Sequence, residues 1–202
     1  MLIGPEVDAS PAKLPERITI EGQFVSIVPL DPASHGPALW EGTKGADNER
    51  LWAYLFAGPF AERAQFDAYL IARAAAEDPL SFSILDEASG RAIGLAAFMR
   101  IEPEHGAIEV GSILYTPALQ KTRGATEAMY LMARHVFEEL GYRRYEWKCN
   151  ALNEASRRAA LRLGFTFEGV FRQHMIVKGR NRDTAWFSML DHEWPARKAG
   201  FE

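Results

Sequence analysis

The chain has 202 residues and a formal net charge of -4, with 48% of its residues hydrophobic and 25% charged. These fractions are ordinary for a globular domain and exclude disorder as the main state, while the negative charge gives no general attraction for nucleic acid or anionic lipid. The one cysteine, Cys149, excludes an internal disulfide and a cluster of thiolate metal ligands.

The amino-terminal seventeen residues contain three prolines together with Glu6, Asp8 and Glu16, a composition that the apolar region of a signal peptide does not tolerate. No apolar run approaches the roughly 20 residues that a membrane helix needs. We therefore expect a cytoplasmic protein without a membrane partner. The prolines predict an extended arm over residues 1–17, followed by one folded domain over residues 18–195 and a short tail over residues 196–202.

The amino-terminal half of the domain combines a strand pattern with helical patterns. Its predicted elements are a strand region at residues 18–30 (ITIEGQFVSIVPL), a helix at 33–42, an aromatic-rich stretch at 48–60 (NERLWAYLFAGPF) and a helix at 61–76. One proline at the start of the first helix and another after the last helix mark their limits. Within the aromatic stretch, Trp52, Leu55 and Phe56 are predicted to share one face.

The carboxy-terminal half is richer in strands. The segments LSFSIL, AIGLAAFMRI and AIEVGSIL, separated by turn-forming residues, predict an antiparallel meander between residues 80 and 114. The later predicted elements are a helix at 125–140, a strand at 145–149, a helix at 153–163, a strand at 165–177, a turn at 178–181 and a strand at 184–190. This order indicates an α+β fold with one sheet flanked by helices.

The loop between the meander and the long helix has the features of an anion site. A helix that follows a strand directly presents unpaired amide groups and the positive end of its dipole. Gly124 allows a phosphate to approach the backbone, Lys121 and Arg123 add positive charge, and Thr122 and Thr126 add hydroxyl donors. The same residues are equally typical of an ordinary capped helix, so the loop alone does not decide between the two.

The loop resembles the signature of the GNAT N-acetyltransferase superfamily, in which a strand is followed by Gln or Arg, two residues, Gly, one residue, and Gly or Ala. Gln120 and Ala125 occupy two of these three positions, whereas Arg123 replaces the first glycine and Gly124 follows it. The later segment YEWKCNALNEASRRAALRLGFTFEGVFRQHMIVKGRNRDTAWFSMLDHEWP resembles the second half of ribosomal-protein acetyltransferases of the RimJ/RimL type. The resemblance extends over residues 18–194.

This resemblance implies a GNAT-like fold, a twisted and mostly antiparallel mixed sheet flanked by helices, with a V-shaped cleft between its central strands. It also implies acetyl-CoA as the co-substrate, and a backbone amide at the end of the third meander strand facing the thioester oxygen. The cofactor-binding residues that it implies are Ile113, Leu114, Tyr115, Gln120, Lys121, Thr122, Arg123, Gly124, Ala125, Thr126, Asn153 and Ser156. Asn153 is equally typical of a helix N-cap.

The catalytic groups are less clearly marked. Glu109 is the candidate general base, because the family often has a carboxylate on this strand and because Glu109 has the same strand parity as Tyr115. An exposed glutamate paired with an arginine is the alternative reading, and Glu104 or a water relay the alternative base. The family's tyrosine acid is replaced by Ala160, so no general acid is assigned. Cys149 is expected to be a buried, inert thiol.

The predicted function is therefore direct transfer of acetyl from acetyl-CoA to a primary amine. The acceptor is a protein amino terminus, which predicts an open acidic cleft, or a small amine, which predicts a pocket roofed by residues 51–60. The alternative function is a non-catalytic acyl-CoA-binding sensor. The histidines show no metal-ligand spacing, so no metal site is expected, nor is a nucleic-acid partner. Exposed edge strands after Phe165 are compatible with a homodimer.

Overall fold

The computed structural model describes residues 3–7 and 9–201. Residues 1, 2 and 8 of the predicted arm and residue 202 of the predicted tail lie outside the described residues. The helices are α1 (Pro32–Thr43), α2 (Arg63–Ala75), α3 (Arg123–Arg134), α4 (Glu154–Arg162) and α5 (Trp194–Lys198). The strands are β1 (Val25–Pro29), β2 (Leu80–Asp86), β3 (Ala92–Glu102), β4 (Ala107–Tyr115), β5 (Arg144–Asn150), β6 (Thr166–Val177) and β7 (Arg180–Leu190).

These strands form one sheet in the order β1-β2-β3-β4-β5-β7-β6. Neighbouring strands are antiparallel except β4 and β5, which run parallel. The predicted meander is confirmed as β2, β3 and β4, and the predicted hairpin as β6 and β7. Lys178 and Gly179 form the hairpin turn with φ angles of 51° and 73°, as tight two-residue turns require. The α+β prediction with a mixed, mostly antiparallel sheet is confirmed.

Helix α3 packs along one face of the sheet. It begins at Arg123, two residues earlier than predicted, because the Thr122 hydroxyl caps it by accepting a hydrogen bond from the Ala125 amide. Its buried side includes Met129 and Met132, which lie in a core shared with the sheet and with α4. The apolar face of this helix is therefore the face that covers β3, β4 and β5.

A second, smaller core lies on the opposite face of the sheet. Here α1 and α2 pack on β3 and on the end of β4, and Trp52, Phe66 and Leu114 are buried between them. The prediction that Trp52, Leu55 and Phe56 share one face is wrong. The helical turns at Ala46–Trp52 end at Trp52, so Phe56 lies in the following loop and is half exposed.

Segments near both ends of the described chain contact the domain. The amides of Ala12 and Lys13 donate to the carbonyls of Pro103 and Leu140, at 3.0 Å and 2.9 Å, so this part of the arm lies across the β3–β4 turn. At the other end, part of the predicted tail belongs to helix α5. The Trp194 indole N–H of this helix donates a hydrogen bond to Glu138. Within residues 3–7 and 9–201, no helix combines the length and apolar character needed to cross a membrane.

Candidate active site

The central cleft arises where β4 and β5 separate. The two strands are paired only over Ala107–Val110 and Arg144–Trp147. Beyond these residues, β4 remains paired with β3 and β5 remains paired with β7. The backbone of β4 from residue 111 onward therefore has no neighbouring strand on the β5 side, and backbone groups left without a strand partner are available to a bound ligand.

A β-bulge at Ser112 changes the direction of side chains along β4. The β3–β4 register shifts between Leu95 and Ala97, and Ser112 has a positive φ of 51°. One extra residue in a strand reverses which face every later side chain occupies. Glu109 and Tyr115 therefore lie on opposite faces of the sheet, and the prediction from strand parity that they share a face is wrong.

The end of β4 is linked tightly to the start of α3. The Gln120 side-chain amide donates to the Tyr115 carbonyl at 3.1 Å, and the Tyr115 hydroxyl donates to the Ala125 carbonyl at 3.1 Å. Burial raises the pKa of the Tyr115 hydroxyl, so this group stays protonated and keeps its donor role. The loop therefore holds a fixed position beside the separated part of β4.

Gly124 is buried where α3 meets β1. A Cβ atom at this position would lie 2.8 Å from Cγ1 of Val25, closer than two carbon atoms can approach. The packing of the helix against the strand thus requires a glycine here, a reason that the sequence pattern did not indicate. Its contact with a phosphate stays a prediction.

Two exposed cations stand beside this helix end. Lys121 has a positive φ of 61°, the left-handed conformation that glycine adopts most easily. The Arg123 guanidinium lies over the ring of Phe24, 5.9 Å from its centroid. Lys121 and Arg123 are both solvent-exposed, so the helix amino terminus carries accessible positive charge.

Helix α4 lies on the other side of the cleft opening. The Asn153 side chain accepts a hydrogen bond from the Ser156 amide at 3.1 Å, so Asn153 is an N-cap. The Ser156 hydroxyl accepts the indole N–H of Trp147 at 2.9 Å. Arg162 reaches across to α3 and donates to the Thr126 hydroxyl at 3.0 Å. Asn153, Ser156 and Thr126 thus have protein partners, and their contacts with CoA stay predictions.

Glu109 is buried, with 3% of its surface exposed. Its Oε2 atom accepts a hydrogen bond from Arg100 and lies 3.0 Å from the Lys148 ammonium. The alternative reading of an exposed glutamate is therefore wrong, although the arginine partner that it included is present. The other candidate base, Glu104, lies in an exposed turn before β4, at the end of the strand away from the cleft.

The position of Arg100 depends on a second bulge, in β3. The register with β4 shifts between Met99 and Glu102, and Arg100 has a positive φ of 46°. The two carboxylate oxygens of Asp78 accept the amides of Arg100 and Ile101, each at 3.1 Å. The carboxylate therefore stabilises the bulge that directs Arg100 toward Glu109.

Glu109 belongs to a polar face that the sequence analysis did not identify. We call it the cleft face, and it consists of Glu109, Glu146, Lys148, Trp186, Thr184 and Arg182. The Lys148 ammonium lies 2.5 Å from Glu146 and 4.1 Å from the centre of the Trp186 ring. Polar residues alternate with buried ones along β5, which indicates a half-polar strand, but no sequence signal shows that this polar side meets Glu109.

Residues 51–60, the roof segment, contact the far end of the sheet. The Lys178 ammonium donates to the Trp52 carbonyl at 2.8 Å, and the Tyr54 hydroxyl donates to the Leu152 carbonyl at 3.2 Å. The Phe56 ring lies 5.1 Å from the Arg182 guanidinium. The roof segment therefore covers one end of the cleft face.

Cys149 carries the one thiol of the chain. Cys149 is buried on the α4 side of the sheet, and burial raises the pKa of its thiol, which disfavours the nucleophilic thiolate. Within the described part of the chain, no group of three or more His, Cys, Asp or Glu residues is placed to hold a metal ion.

Comparison with known proteins relates this chain to a family. Residues 27–166 match the family model of the acetyltransferase (GNAT) domain. The crystal structure of a GCN5-related N-acetyltransferase from Brucella melitensis is 49% identical, covers 96% of this chain and 88% of that one, and has a TM-score of 0.94.

Two further similarities are more distant. An uncharacterized N-acetyltransferase named p20 from Bacillus licheniformis is 32% identical over 113 residues, which span 56% of this chain and 63% of that protein. The chain thus spans less than two thirds of this curated relative. RimL, described as a ribosomal L7/L12 α-N-protein acetyltransferase, is 19% identical with a TM-score of 0.73 over 86% of this chain and 94% of that one. At this identity, the likeness to RimL concerns the fold.

Proposed function

This chain belongs to the GNAT acetyltransferase family, and from that premise we propose that it transfers acetyl from acetyl-CoA directly to a primary amine. The observation that carries the proposal is the separation of β4 from β5 beside the amino terminus of α3. It provides unpaired backbone for an extended ligand and a positive helix end for an anionic one, and CoA combines these two properties.

The residues present fit such a donor. The backbone of Ile113 and the amide of Tyr115 are available to pair with the pantetheine arm, because β5 has already turned away from them. Leu114 is paired with Leu95 of β3, and the Tyr115 carbonyl accepts the Gln120 side chain. The Thr122 hydroxyl caps the Ala125 amide, which leaves the earlier amides of Arg123 and Gly124 for the pyrophosphate. The exposed Lys121 side chain adds charge beside them. Bound acetyl-CoA supplies an activated thioester whose sulfur is the leaving group.

An amine must be neutral to attack a thioester, so the ammonium group of the acceptor must first lose a proton. We assign Glu109 the role of accepting this proton. Arg100 and Lys148 both contact Oε2 of this carboxylate, so Oε1 is the oxygen assigned to the proton, directly or through one water molecule. The two cations also fix the carboxylate in place. An amide of residues 113–115 is assigned to the developing oxyanion.

For the acceptor we propose a small amine. The roof segment is held to the sheet by the Lys178 to Trp52 hydrogen bond and by the contact of Phe56 with Arg182, which encloses one end of the cleft face. An enclosed site favours a compact acceptor over an extended polypeptide. A protein amino terminus is the second candidate, favoured by the likeness in fold to RimL.

The test is CoA release from acetyl-CoA, measured with a panel of small amines and with peptides of free amino terminus, and with mass spectrometry of the products. We expect amine-dependent CoA release and a product heavier by one acetyl group. Acetyl-CoA binding without amine-dependent release across the panel would leave the non-catalytic sensor as the function. Release with peptides alone would replace the small amine by the protein acceptor.

A further inference from the structure

Arg182 lies on the cleft face at the end covered by the roof segment. It is in β7 opposite Met175 of β6, two residues beyond the last β5–β7 pair of Asn150 and Thr184. Its guanidinium lies 5.1 Å from the centre of the Phe56 ring, and its Nε donates to the Thr184 hydroxyl at 3.2 Å. The side chain thus stands between the roof and the open part of the sheet.

This guanidinium is buried but has no anionic partner. Arg182 is 7% exposed, and no carboxylate of the described chain lies within 4.0 Å of it. Burial lowers the pKa of the guanidinium, and nearby Glu109 offsets this only in part. A buried charge is costly unless an opposite charge or hydrogen bonds compensate it. Among the described residues, Thr184 accepts its Nε–H and the Phe56 ring lies beside it, so its two terminal NH2 groups are available to a ligand.

The carboxylates of the surrounding network are already paired. Glu109 contacts Arg100 and Lys148, Glu146 contacts Arg144 and Lys148, and Glu168 contacts Arg144. With Arg182 included, the network holds four cations and three carboxylates, so one positive charge is left over. The unpaired cation is Arg182, and a single negative charge would balance it.

The phosphates of CoA are not suited to be this anion. Their proposed site is the amino terminus of α3, which packs on the opposite face of the sheet from Arg182. The anion must therefore come with the other substrate. Because the excess is one charge, a carboxylate matches it better than a doubly charged phosphate, and its two oxygens fit the paired donors of a guanidinium.

We propose that the acceptor is an amine that also carries a carboxylate, and that Arg182 binds this carboxylate beneath Phe56. The inference rests on the proposed acetyl transfer to a small amine and names its substrate class as amino-acid-like.

The test compares amino acids with their carboxamides as acceptors for the wild-type protein and three variants. Arg182→Met removes the positive charge, and Arg182→Lys keeps the charge but lacks the paired donors of a guanidinium. Arg180→Met is the control, because it removes an exposed arginine of the same strand. The amino acid with the highest activity and its amide form the test pair. Each acceptor is compared with itself across variants, so the different basicity of the two amines cancels.

For Arg182→Met we expect kcat/KM with the amino acid to fall by about 10- to 100-fold, the usual effect of losing charged hydrogen bonds. With the amide it should change by less than about 3-fold, and Arg180→Met should leave both values at the wild-type level. Arg182→Lys should recover part of the loss. As an independent readout, 3-phenylpropionate should inhibit the wild type competitively against the amine but inhibit Arg182→Met weakly.

Other results would overturn the inference. If Arg182→Met lowers activity with the amino acid and the amide equally, while its thermal unfolding matches the wild type, Arg182 contributes to a step that both reactions share and does not bind the carboxylate. If the wild type acetylates only amines without a carboxylate, the inference fails while the proposed acetyl transfer stands. If no amine releases CoA, the proposed function itself has failed.

Discussion

At the scale of single residues, the surroundings decide what a side chain contributes. Glu109 is one of several glutamates on strands, but its burial against Arg100 and Lys148 sets it apart. Gly124 matches an anion-binding glycine in sequence, yet its immediate structural reason is the close approach of Val25. Residue type alone therefore indicates which roles are possible, and contacts select among them.

The role of Glu109 can be separated from its structural contribution. Replacing Glu109 with Gln keeps the shape but removes the proton acceptor, so we expect kcat/KM to fall by about 100-fold or more. The loss of charged contacts to Arg100 and Lys148 should also lower the unfolding free energy by about 2 kcal/mol. Steady-state kinetics and urea unfolding provide the two measurements.

Glu146→Gln is the matched control, because Glu146 is a neighbouring carboxylate that also contacts Lys148. It should lose comparable stability but retain kcat/KM within about 3-fold. Equal losses of rate in the two variants would show that the whole charge network, rather than Glu109, limits the reaction.

At the scale of elements, the start of α3 combines three functions. Thr122 caps the helix, Glu127 accepts the amides of Gln23, Phe24 and Val25 at 2.7, 2.7 and 2.9 Å, and the exposed end faces solvent with its cations. The carboxylate of Glu127 fixes α3 to the start of β1, so the amide groups at the helix end are held in place before any ligand binds. Preorganisation of this kind lowers the cost of binding.

The charges of this element are predicted to act on the pyrophosphate. In the variant with Lys121→Ala and Arg123→Ala, we expect KM for acetyl-CoA to rise by about 5- to 10-fold at low salt, and less at high salt, because exposed charges are screened. S-acetylpantetheine lacks the phosphates, so its kcat/KM should not change. Kinetics with both donors at two salt concentrations give the comparison.

Lys44→Ala, which removes an exposed lysine at the end of α1, is the control for general charge effects. A rise in KM of the same size for both donors would mean that the double variant disturbs the cleft itself, and would contradict a contact of these two cations with the pyrophosphate.

At the scale of the whole molecule, the cleft face is held together by ion pairs that cross strands. Arg144 of β5 bonds Glu168 of β6 at 2.6 Å and spans β7, whose Ser188 also donates to Glu168 at 2.7 Å. Arg144 contacts Glu146 as well, at 2.6 Å. This network links the half of the sheet beyond the cleft into one unit.

The network predicts how stability depends on pH. The Arg144 hydrogen bond lowers the pKa of Glu168, and although burial by itself raises the pKa of Glu146, Lys148 and Arg144 lower it overall. Both carboxylates therefore bind protons more weakly in the folded protein than in the unfolded chain. Their stabilising contribution is complete above their ordinary pKa of 4.5 and is lost as pH falls through the lower folded values.

We therefore expect the unfolding free energy to decline below about pH 4.5, and to decline less steeply in Glu168→Gln. Urea unfolding at a series of pH values measures both slopes. Glu154→Gln, which removes an exposed pair with Arg158 on α4, is the control and should follow the wild-type curve. Identical slopes in Glu168→Gln and the wild type would exclude Glu168 from the acid sensitivity.

The sequence by itself determined the features that depend on neighbouring residues. Alternation between residues 80 and 114 predicted the meander, the pattern at residues 125–140 predicted a helix where α3 lies, and Asn153 was recognisable as a helix cap. The loop before α3 was located for the same reason, since a strand-to-helix junction exposes its amides whatever the rest of the chain does.

The tertiary structure alone decided the chemistry of the cleft, because that chemistry joins residues far apart in the chain. The bulge at Ser112 reverses strand parity, so alternation could not place Glu109 correctly relative to Tyr115. The contact of Phe56 with Arg182 links segments that the sequence gives no reason to pair. Burial and charge balance are properties of the assembled fold, and they single out Arg182 as a buried cation with no carboxylate partner among the described residues.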